Sequence, residues 1–131
     1  MSVQGRSIYK YQVALENGRQ TWLADEPISA GGSDIAPTPV DMLLGAVASC
    51  KVITAQMYAA RKEWPLEWVT IALAHEQERG SNGIVTTISS EMTFGGALND
   101  EQKARLLQIA DKCPVHKILT NEVVVTSTLA E

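Results

Sequence analysis

Residues 37–62, PTPVDMLLGAVASCKVITAQMYAARK, decide the fold of this chain. Between Met42 and Ala60 the only charged residue is Lys51, and apolar or small residues surround the helical axis. A helix that is apolar on all sides must be buried on most of them. At about 24 residues it would be roughly 36 Å long, which rivals the diameter of a globule of this size. The segment therefore predicts a central core helix that a second subunit helps to cover.

The ends of this helix carry the expected terminal residues. Thr38 is a suitable N-cap, Pro39 suits the first turn, and Asp41 places a negative charge at the positive end of the helix dipole. Arg61 and Lys62 place cations in the last turn, where they are favoured. These features predict a helix that starts at about residue 39 and ends at about residue 62.

A membrane span is the competing interpretation of the same helix. A span requires about 20 apolar residues. Lys51 lies at the centre of the run with Gln56 nearby, and no positively charged loops flank it. We therefore expect a core helix and no membrane partner.

The composition limits the function classes. The 131 residues correspond to one domain, residues 1–131, and 45% hydrophobic with 20% charged residues is typical of a soluble globule. The net charge of −4 leaves no basic footprint, so nucleic acid is not an expected partner. The first ten residues contain no apolar core or cleavage site, so secretion by that route is not indicated. We expect a cytoplasmic protein.

Strands are predicted on both sides of the central helix. Residues 7–15 and 20–24 are rich in β-forming residues, and Asn17-Gly18 between them is a strong hairpin signal. Residues 68–78 and 84–94 predict a second hairpin.

The C-terminal part combines helix and strand. A helix capped by Asn99 or Asp100 is predicted to run through Lys112, and residues 115–119 to begin another short helix. Residues 121–129 (NEVVVTSTL) are predicted to form a final strand. The order of elements predicts an α+β domain with mostly antiparallel strands.

Two cysteines are the candidate reactive residues. Cys50 lies in the middle of the central helix, and Cys113 lies at a helix break directly before Pro114. In a reducing compartment they are not expected to form a static disulfide. They are inert buried residues, metal ligands or a redox pair. If the two sulfurs lie close together, oxidation of one and condensation with the other becomes possible.

Metal binding is the competing use of these residues. Cys113 and His116 have a ligand-like spacing, with Cys50 as a third candidate. Zinc sites usually have a fourth ligand or a paired C-x-x-C. His75-Glu76 resembles the start of a zinc-protease motif, but Arg79 stands where the second histidine is needed. No metal ligand is therefore assigned.

Further motifs surround the two cysteines. They are Asp25-Glu26-Pro27, Gly31-Gly32, Pro37-Thr38-Pro39, Leu43-Leu44, Ala48-Ser49-Cys50, the run 57–66 and the run 110–117, ADKCPVHK. Together they resemble the OsmC/Ohr family of osmotically inducible and organic hydroperoxide resistance proteins. The resemblance covers nearly the whole chain, and the spacing of the two cysteine motifs makes it specific.

The resemblance implies a fold and an assembly. The family fold, the OsmC-like fold, is an α+β domain with antiparallel strands and a long central helix. Two subunits intertwine into a homodimer with their central helices packed together, and the active sites lie at the subunit interface.

The resemblance also implies an activity. Characterised members are thiol-dependent peroxidases that reduce organic hydroperoxides and need no metal, haem or flavin. Carried over, Cys50 is the peroxidatic cysteine and Cys113 the resolving one, so the expected product is a Cys50–Cys113 disulfide. A dithiol reductant of the lipoyl type regenerates the pair.

Two further site residues follow from the resemblance. The hydroperoxide-resistance branch uses an arginine of the first hairpin to stabilise the thiolate, and Arg19 lies in the corresponding hairpin. That branch holds the arginine with a glutamate directly after the helix-opening proline. Here Val40 stands at that position and the acid is Asp41, which places the chain with the OsmC-like branch.

One alternative function on the same fold remains open. A dimer of this kind could act without turnover, as a redox sensor or as a carrier of an apolar ligand.

Overall fold

The computed structural model of the protein describes residues 2–130. The chain divides between Gly45 and Ala46, inside a continuous helix, into two compact units. The architecture is α+β with antiparallel strands and one long helix, as predicted.

The first unit contains a three-stranded antiparallel sheet in the order β1-β2-β3. Its strands are β1 (Gln4–Tyr9), β2 (Gln12–Glu16) and β3 (Thr21–Ala24). The predicted hairpin at Asn17-Gly18 is confirmed, because it joins β2 to β3. Gly18 has a φ of 94°, which a residue without a side chain adopts at little cost.

The prediction of one strand over residues 7–15 is wrong. The chain turns at Lys10 and Tyr11, so this stretch supplies the end of β1 and the start of β2. Lys10 has a φ of 51°, in the left-handed region that favours glycine or asparagine. The turn residues, Lys10 and Tyr11, are neither glycine nor asparagine, so the turn has no sequence signal. The β-forming composition of residues 7–15 therefore predicted one continuous strand.

Asp25 organises the loop that follows β3. Its side chain is only 1% exposed. The carboxylate accepts hydrogen bonds from the backbone N–H groups of Glu26 at 2.7 Å, Ser33 at 3.2 Å and Ile35 at 3.2 Å. Burial alone would raise the pKa of Asp25, but these backbone donors outweigh it, and the net pKa is lowered. The loop is therefore wrapped around one ionised carboxylate.

Gly32 lets the same loop close. A Cβ at this position would lie 1.9 Å from the carbonyl oxygen of Glu26 and 2.9 Å from Oδ1 of Asp25. A short 3-10 helix, Ile28–Ala30, precedes it. The loop thus depends on a glycine at residue 32 for steric reasons.

The long helix α1 spans Pro39–Lys62, and its predicted bounds are confirmed. At its start Thr38 Oγ1 accepts from the N–H of Asp41 at 3.1 Å, and Asp41 Oδ2 accepts from the N–H of Thr38 at 3.3 Å. This reciprocal pair satisfies backbone donors that a helix start otherwise leaves without partners.

In the second unit, α1 buries one narrow stripe. The buried residues recur every four positions, which puts them on one face. They are Val47, Lys51, Ala55 and Ala59. Other apolar side chains of α1 stay exposed, including Ile53 and Met57, the latter by 63%. The single chain therefore leaves most of this helix uncovered.

By length and composition α1 is also the one helix, among residues 2–130, that could cross a membrane, with a mean hydropathy of 1.3. The core helix of a soluble protein can pass the same test. Lys51 lies in the buried stripe and pairs with Asp111. A lysine in a protein core is seldom buried without such a partner.

A long antiparallel hairpin dominates the second unit. Strand β4 (Leu66–Gly80) pairs along its length with β5 (Gly83–Gly96), and both exceed their predicted bounds by a few residues. Ala55 and Ala59 of α1 pack with Phe94 of β5 and with Leu106.

Two helices follow the hairpin. Helix α2 (Asp100–Ala110) starts at a capping box in which Asn99 and Gln102 bind each other's backbone N–H, and it ends two residues before the predicted Lys112. Helix α3 (Pro114–Leu119) begins directly after Cys113. Leu106 on α2 is fully buried and ties that helix to the core.

The predicted final strand over residues 121–129 is wrong for the single chain. The structure gives residues 122–130 no regular secondary structure. Their apolar side chains are exposed, and Val125 is 85% exposed. A strand requires a partner for its backbone hydrogen bonds. In the described chain no sheet edge pairs with this segment.

Candidate active site

The two cysteines lie together in the second unit, both as free thiols. Cys50 is partly buried on α1, whereas Cys113 is fully buried at the break between α2 and α3. Their sulfurs accept hydrogen bonds from two adjacent backbone N–H groups, which brings the sulfurs close together. Residues 63 positions apart in the sequence thus form one dithiol.

The first turn of α3 supplies a backbone donor to each sulfur. The N–H of Val115 donates to Sγ of Cys50 at 3.5 Å, and the N–H of His116 donates to Sγ of Cys113 at 3.3 Å. Pro114, which has no N–H, occupies the first helical position between them. Donors aimed at sulfur favour its charged form. The turn can therefore stabilise negative charge on either cysteine.

The environment distinguishes the two sulfurs. Burial raises the pKa of Cys113, and the nearby side chain of Cys50 raises it further. The N–H of His116 and the positive charge of Lys51 act in the opposite direction without reversing the shift. Cys113 therefore favours the thiol form. Of the pair, Cys50 is the more accessible to a substrate.

Lys51 directly follows Cys50 on α1, and no functional role was predicted for it. The side chain is 5% exposed, and its Nζ lies 2.7 Å from Oδ1 of Asp111 and 2.9 Å from Nδ1 of His116. Its partners are 60 and 65 residues away in the sequence. One feature of the sequence could have pointed to Lys51. It lies four residues from both Val47 and Ala55, so its charge falls within the buried stripe of α1.

The other two predicted site residues belong to the first unit. Arg19 is exposed at the tip of the β2–β3 hairpin, where its backbone N–H donates to Asn17 Oδ1 at 3.0 Å. Asp41 caps α1 together with Thr38. Their predicted roles beside the thiolate stay predictions.

The cysteines and His116 were also candidate metal ligands. Within residues 2–130, no three or more histidine, cysteine, aspartate or glutamate side chains are grouped so that they could hold a metal ion.

The chain combines an α+β fold with two free thiols that lie close together, one on a long helix and one at a helix break. These features define the class: a two-cysteine thiol protein. A family model described as OsmC-like protein matches residues 31–128. The chain therefore belongs to the OsmC-like family, and the resemblance seen in its motifs is confirmed.

Solved structures share the fold at low sequence identity. An OsmC-like protein from Mycoplasma pneumoniae is 15% identical with a TM-score of 0.76, over 90% of this chain and 85% of that one. An organic hydroperoxide resistance protein OsmC from Legionella pneumophila is 17% identical with a TM-score of 0.68, over 91% and 88%. The organic hydroperoxide resistance protein OhrB of Bacillus subtilis is 15% identical with a TM-score of 0.65, over 91% and 89%. No curated protein sequence matches this chain.

Proposed function

We propose that this protein is a thiol-dependent peroxidase that reduces organic hydroperoxides in the cytoplasm without a metal, haem or flavin. The single observation that carries the proposal is that two adjacent backbone N–H groups, those of Val115 and His116, donate to Sγ of Cys50 and Sγ of Cys113, so that the two sulfurs lie close together. The names of the Legionella and Bacillus structures, organic hydroperoxide resistance proteins, support the same chemistry.

The proposed reaction begins at Cys50. Its thiolate attacks the terminal oxygen of the hydroperoxide, the O–O bond breaks, and the alkoxide takes up a proton to leave as an alcohol. Cys50 is then a sulfenic acid, oxidised by two electrons. The N–H of Val115, which donates to this sulfur, supports the thiolate from which the step starts.

The second step uses Cys113. Its sulfur attacks Cys50, the S–O bond breaks, and the oxygen leaves as water with the thiol proton and the proton of the sulfenic acid. The product is a Cys50–Cys113 disulfide. A small dithiol of the lipoyl type then reduces it by thiol–disulfide exchange, and the dithiol becomes the new disulfide.

We also propose that the whole chain acts as one domain in an intertwined homodimer. The exposed apolar side chains of α1 and of residues 123–125 support this proposal, because monomeric proteins rarely leave large contiguous apolar areas in water. Ile53→Glu should shift the mass measured by light scattering from dimer to monomer. Lys112→Glu, at an exposed polar position, should leave the dimer intact.

Arg19 and Asp41 are proposed as the supporting cation and acid of the thiolate. Arg19→Gln should lower kcat/KM for hydroperoxide by about tenfold, the effect of one pKa unit on the thiolate population. Asp41→Asn keeps much of the helix cap, so a comparable loss in that variant would support its link to Arg19. Unchanged kinetics in both variants would assign them structural roles only.

Peroxide consumption tests the main proposal. We expect the wild type to consume cumene or fatty-acid hydroperoxide in the presence of dihydrolipoamide. Cys50→Ser should abolish turnover, whereas Cys113→Ser should still be oxidised once at Cys50 and then stop. Full turnover by Cys50→Ser would contradict the mechanism.

A groove favours the second candidate, binding of an apolar ligand without turnover. The groove measures about 510 Å³ on the sheet of the first unit, and its lining includes Leu15, Trp22 and Leu23. Native mass spectrometry should then show a bound lipid-like molecule, and hydroperoxide should be consumed slowly or not at all.

A further inference from the structure

Lys51 is an unusual residue for its position. It occupies the buried stripe of α1 between Val47 and Ala55, where an apolar side chain would pack without loss of hydration. Burying a charge is costly unless it is paired and hydrogen-bonded. The two contacts of the ammonium, with Asp111 and His116, provide that pairing. The positions of these two partners in the chain indicate the role of the Lys51 charge.

The two partners lie on opposite sides of Cys113 in the chain. Asp111 precedes Cys113 by two residues at the end of α2, and His116 follows it by three residues in α3. Lys51 itself directly follows Cys50 on α1. One side chain thus joins the helix that carries Cys50 to both ends of residues 111–116, the Cys113 segment.

We propose that Lys51 is a positioning residue: by binding Asp111 and His116 it holds the Cys113 segment against α1 and so sets the rate at which Cys113 forms a disulfide with Cys50. This inference rests on the proposed function for its use in the cell. The disulfide step itself can be measured without any peroxide.

The charge of Lys51 supports the same step electrostatically. Cys113 must lose its proton as it attacks the oxidised sulfur of Cys50, and burial opposes that loss. The positive charge of Lys51 lowers the pKa of Cys113 and so partly offsets the effect of burial. Removing the charge therefore weakens both the position and the reactivity of the resolving thiol.

The contact with His116 gives Lys51 a second partner at 2.9 Å. The ammonium can donate only to an Nδ1 that carries no proton, so the contact requires the tautomer with its hydrogen on Nε2. Asp111 is the one charged partner that the described structure shows for Lys51, and Thr86, Thr87 and Ser90 of β5, which line the adjoining cavity of about 480 Å³, are uncharged.

Diamide oxidation of the reduced full-length protein tests the inference. Diamide takes two electrons and two protons from the dithiol and becomes the hydrazine, so it reports disulfide formation directly. Lys51→Met should slow formation of the intrachain disulfide by roughly tenfold, because it removes hydrogen bonds from a charged donor. Lys51→Arg should restore part of the rate. Lys103→Met, which replaces an exposed lysine of α2 outside the Cys113 segment, is the matched control and should react like the wild type.

Two variants at His116 separate positioning from a general loss of structure. His116→Asn should form the disulfide at close to the wild-type rate, because the asparagine oxygen can accept from Lys51, whereas His116→Leu offers no acceptor and should be slower. These variants also keep the inference testable if Lys51→Met does not fold. Wild-type rates in Lys51→Met, or equal rates in His116→Asn and His116→Leu, would overturn it.

A second experiment uses hydroperoxide as the oxidant in place of diamide. With one equivalent of hydroperoxide, Lys51→Met should accumulate Cys50 sulfenic acid that dimedone traps, whereas the wild type should proceed to the disulfide. If diamide shows the effect of Lys51 but no variant reacts with hydroperoxide, the positioning role stands and the proposed peroxidase function fails.

Discussion

Asp25 and Lys51 are the two buried charged side chains among the described residues, and they are stabilised in different ways. Asp25 is held by backbone N–H groups within ten residues of itself. Lys51 is held by side chains 60 and 65 residues away. Local backbone donors can build a loop, whereas distant side chains can only join elements that already exist. We infer from this difference that Asp25 stabilises the fold, whereas Lys51 positions the Cys113 segment for disulfide formation.

The largest expected effect is steric and falls on the Asp25 loop. Gly32→Ala would place a methyl group 1.9 Å from the carbonyl oxygen of Glu26, so the backbone must move away from the carboxylate. We expect a loss of about 3 kcal/mol or more in the free energy of unfolding, measured in urea. Gly80→Ala is the control, since its nearest contact would be 3.4 Å. Equal stability of the two variants would contradict this account of the loop.

Asp25→Asn should have the next largest effect. The amide keeps the shape of the side chain but loses the charge. It has only one acceptor oxygen, whereas the carboxylate has two oxygens that together accept from several N–H donors. We expect the thermal midpoint to fall by at least several degrees. Asp34→Asn, at an exposed position in the same loop, should change it little. An unchanged midpoint in Asp25→Asn would show that the loop does not depend on this charge.

The same carboxylate predicts a pH dependence of stability. The pKa of Asp25 is lower in the folded protein than its usual value of 3.8. A group with a lowered folded pKa stabilises the fold above its unfolded pKa, and this contribution is lost as the pH falls through the folded pKa. The difference in unfolding free energy between wild type and Asp25→Asn should therefore shrink below about pH 4. A difference that stays constant down to about pH 2 would contradict this.

The smallest expected effect on stability is that of Lys51→Met. Its anionic partner Asp111 has a side chain that is 58% exposed, so water can solvate the carboxylate once the lysine is gone. Removing one partner of a buried ion pair is costly when the other charge stays buried, and here the remaining charge is in contact with water. We expect the free energy of unfolding to change by less than about 1 kcal/mol, while disulfide formation slows. A large loss of stability would place Lys51 in the same class as Asp25.

Features with local causes could be predicted from the sequence. The bounds of α1 followed from Thr38, Asp41 and the terminal cations, and the β2–β3 hairpin followed from Asn17-Gly18. The structure confirmed both, because a cap or a tight turn depends only on residues a few positions apart.

Features that depend on distant residues could not be predicted. The turn at Lys10 carries no glycine or asparagine, and the exposed segment 121–129 has strand-forming composition but no described partner. The contacts of Lys51 join segments whose proximity only the fold establishes. Cys50 and Cys113 were singled out by their motifs, and the structure adds the adjacent backbone donors, Val115 and His116, that bring their sulfurs close together.

The most direct test of the central claim is intact and peptide mass spectrometry after one equivalent of organic hydroperoxide. The account predicts that each chain loses two hydrogen atoms and that digestion yields one peptide pair joined through Cys50 and Cys113. Cys50 as a lasting sulfenic acid with Cys113 still a free thiol, or a chain that does not react, would contradict the claim that these two residues form a redox pair.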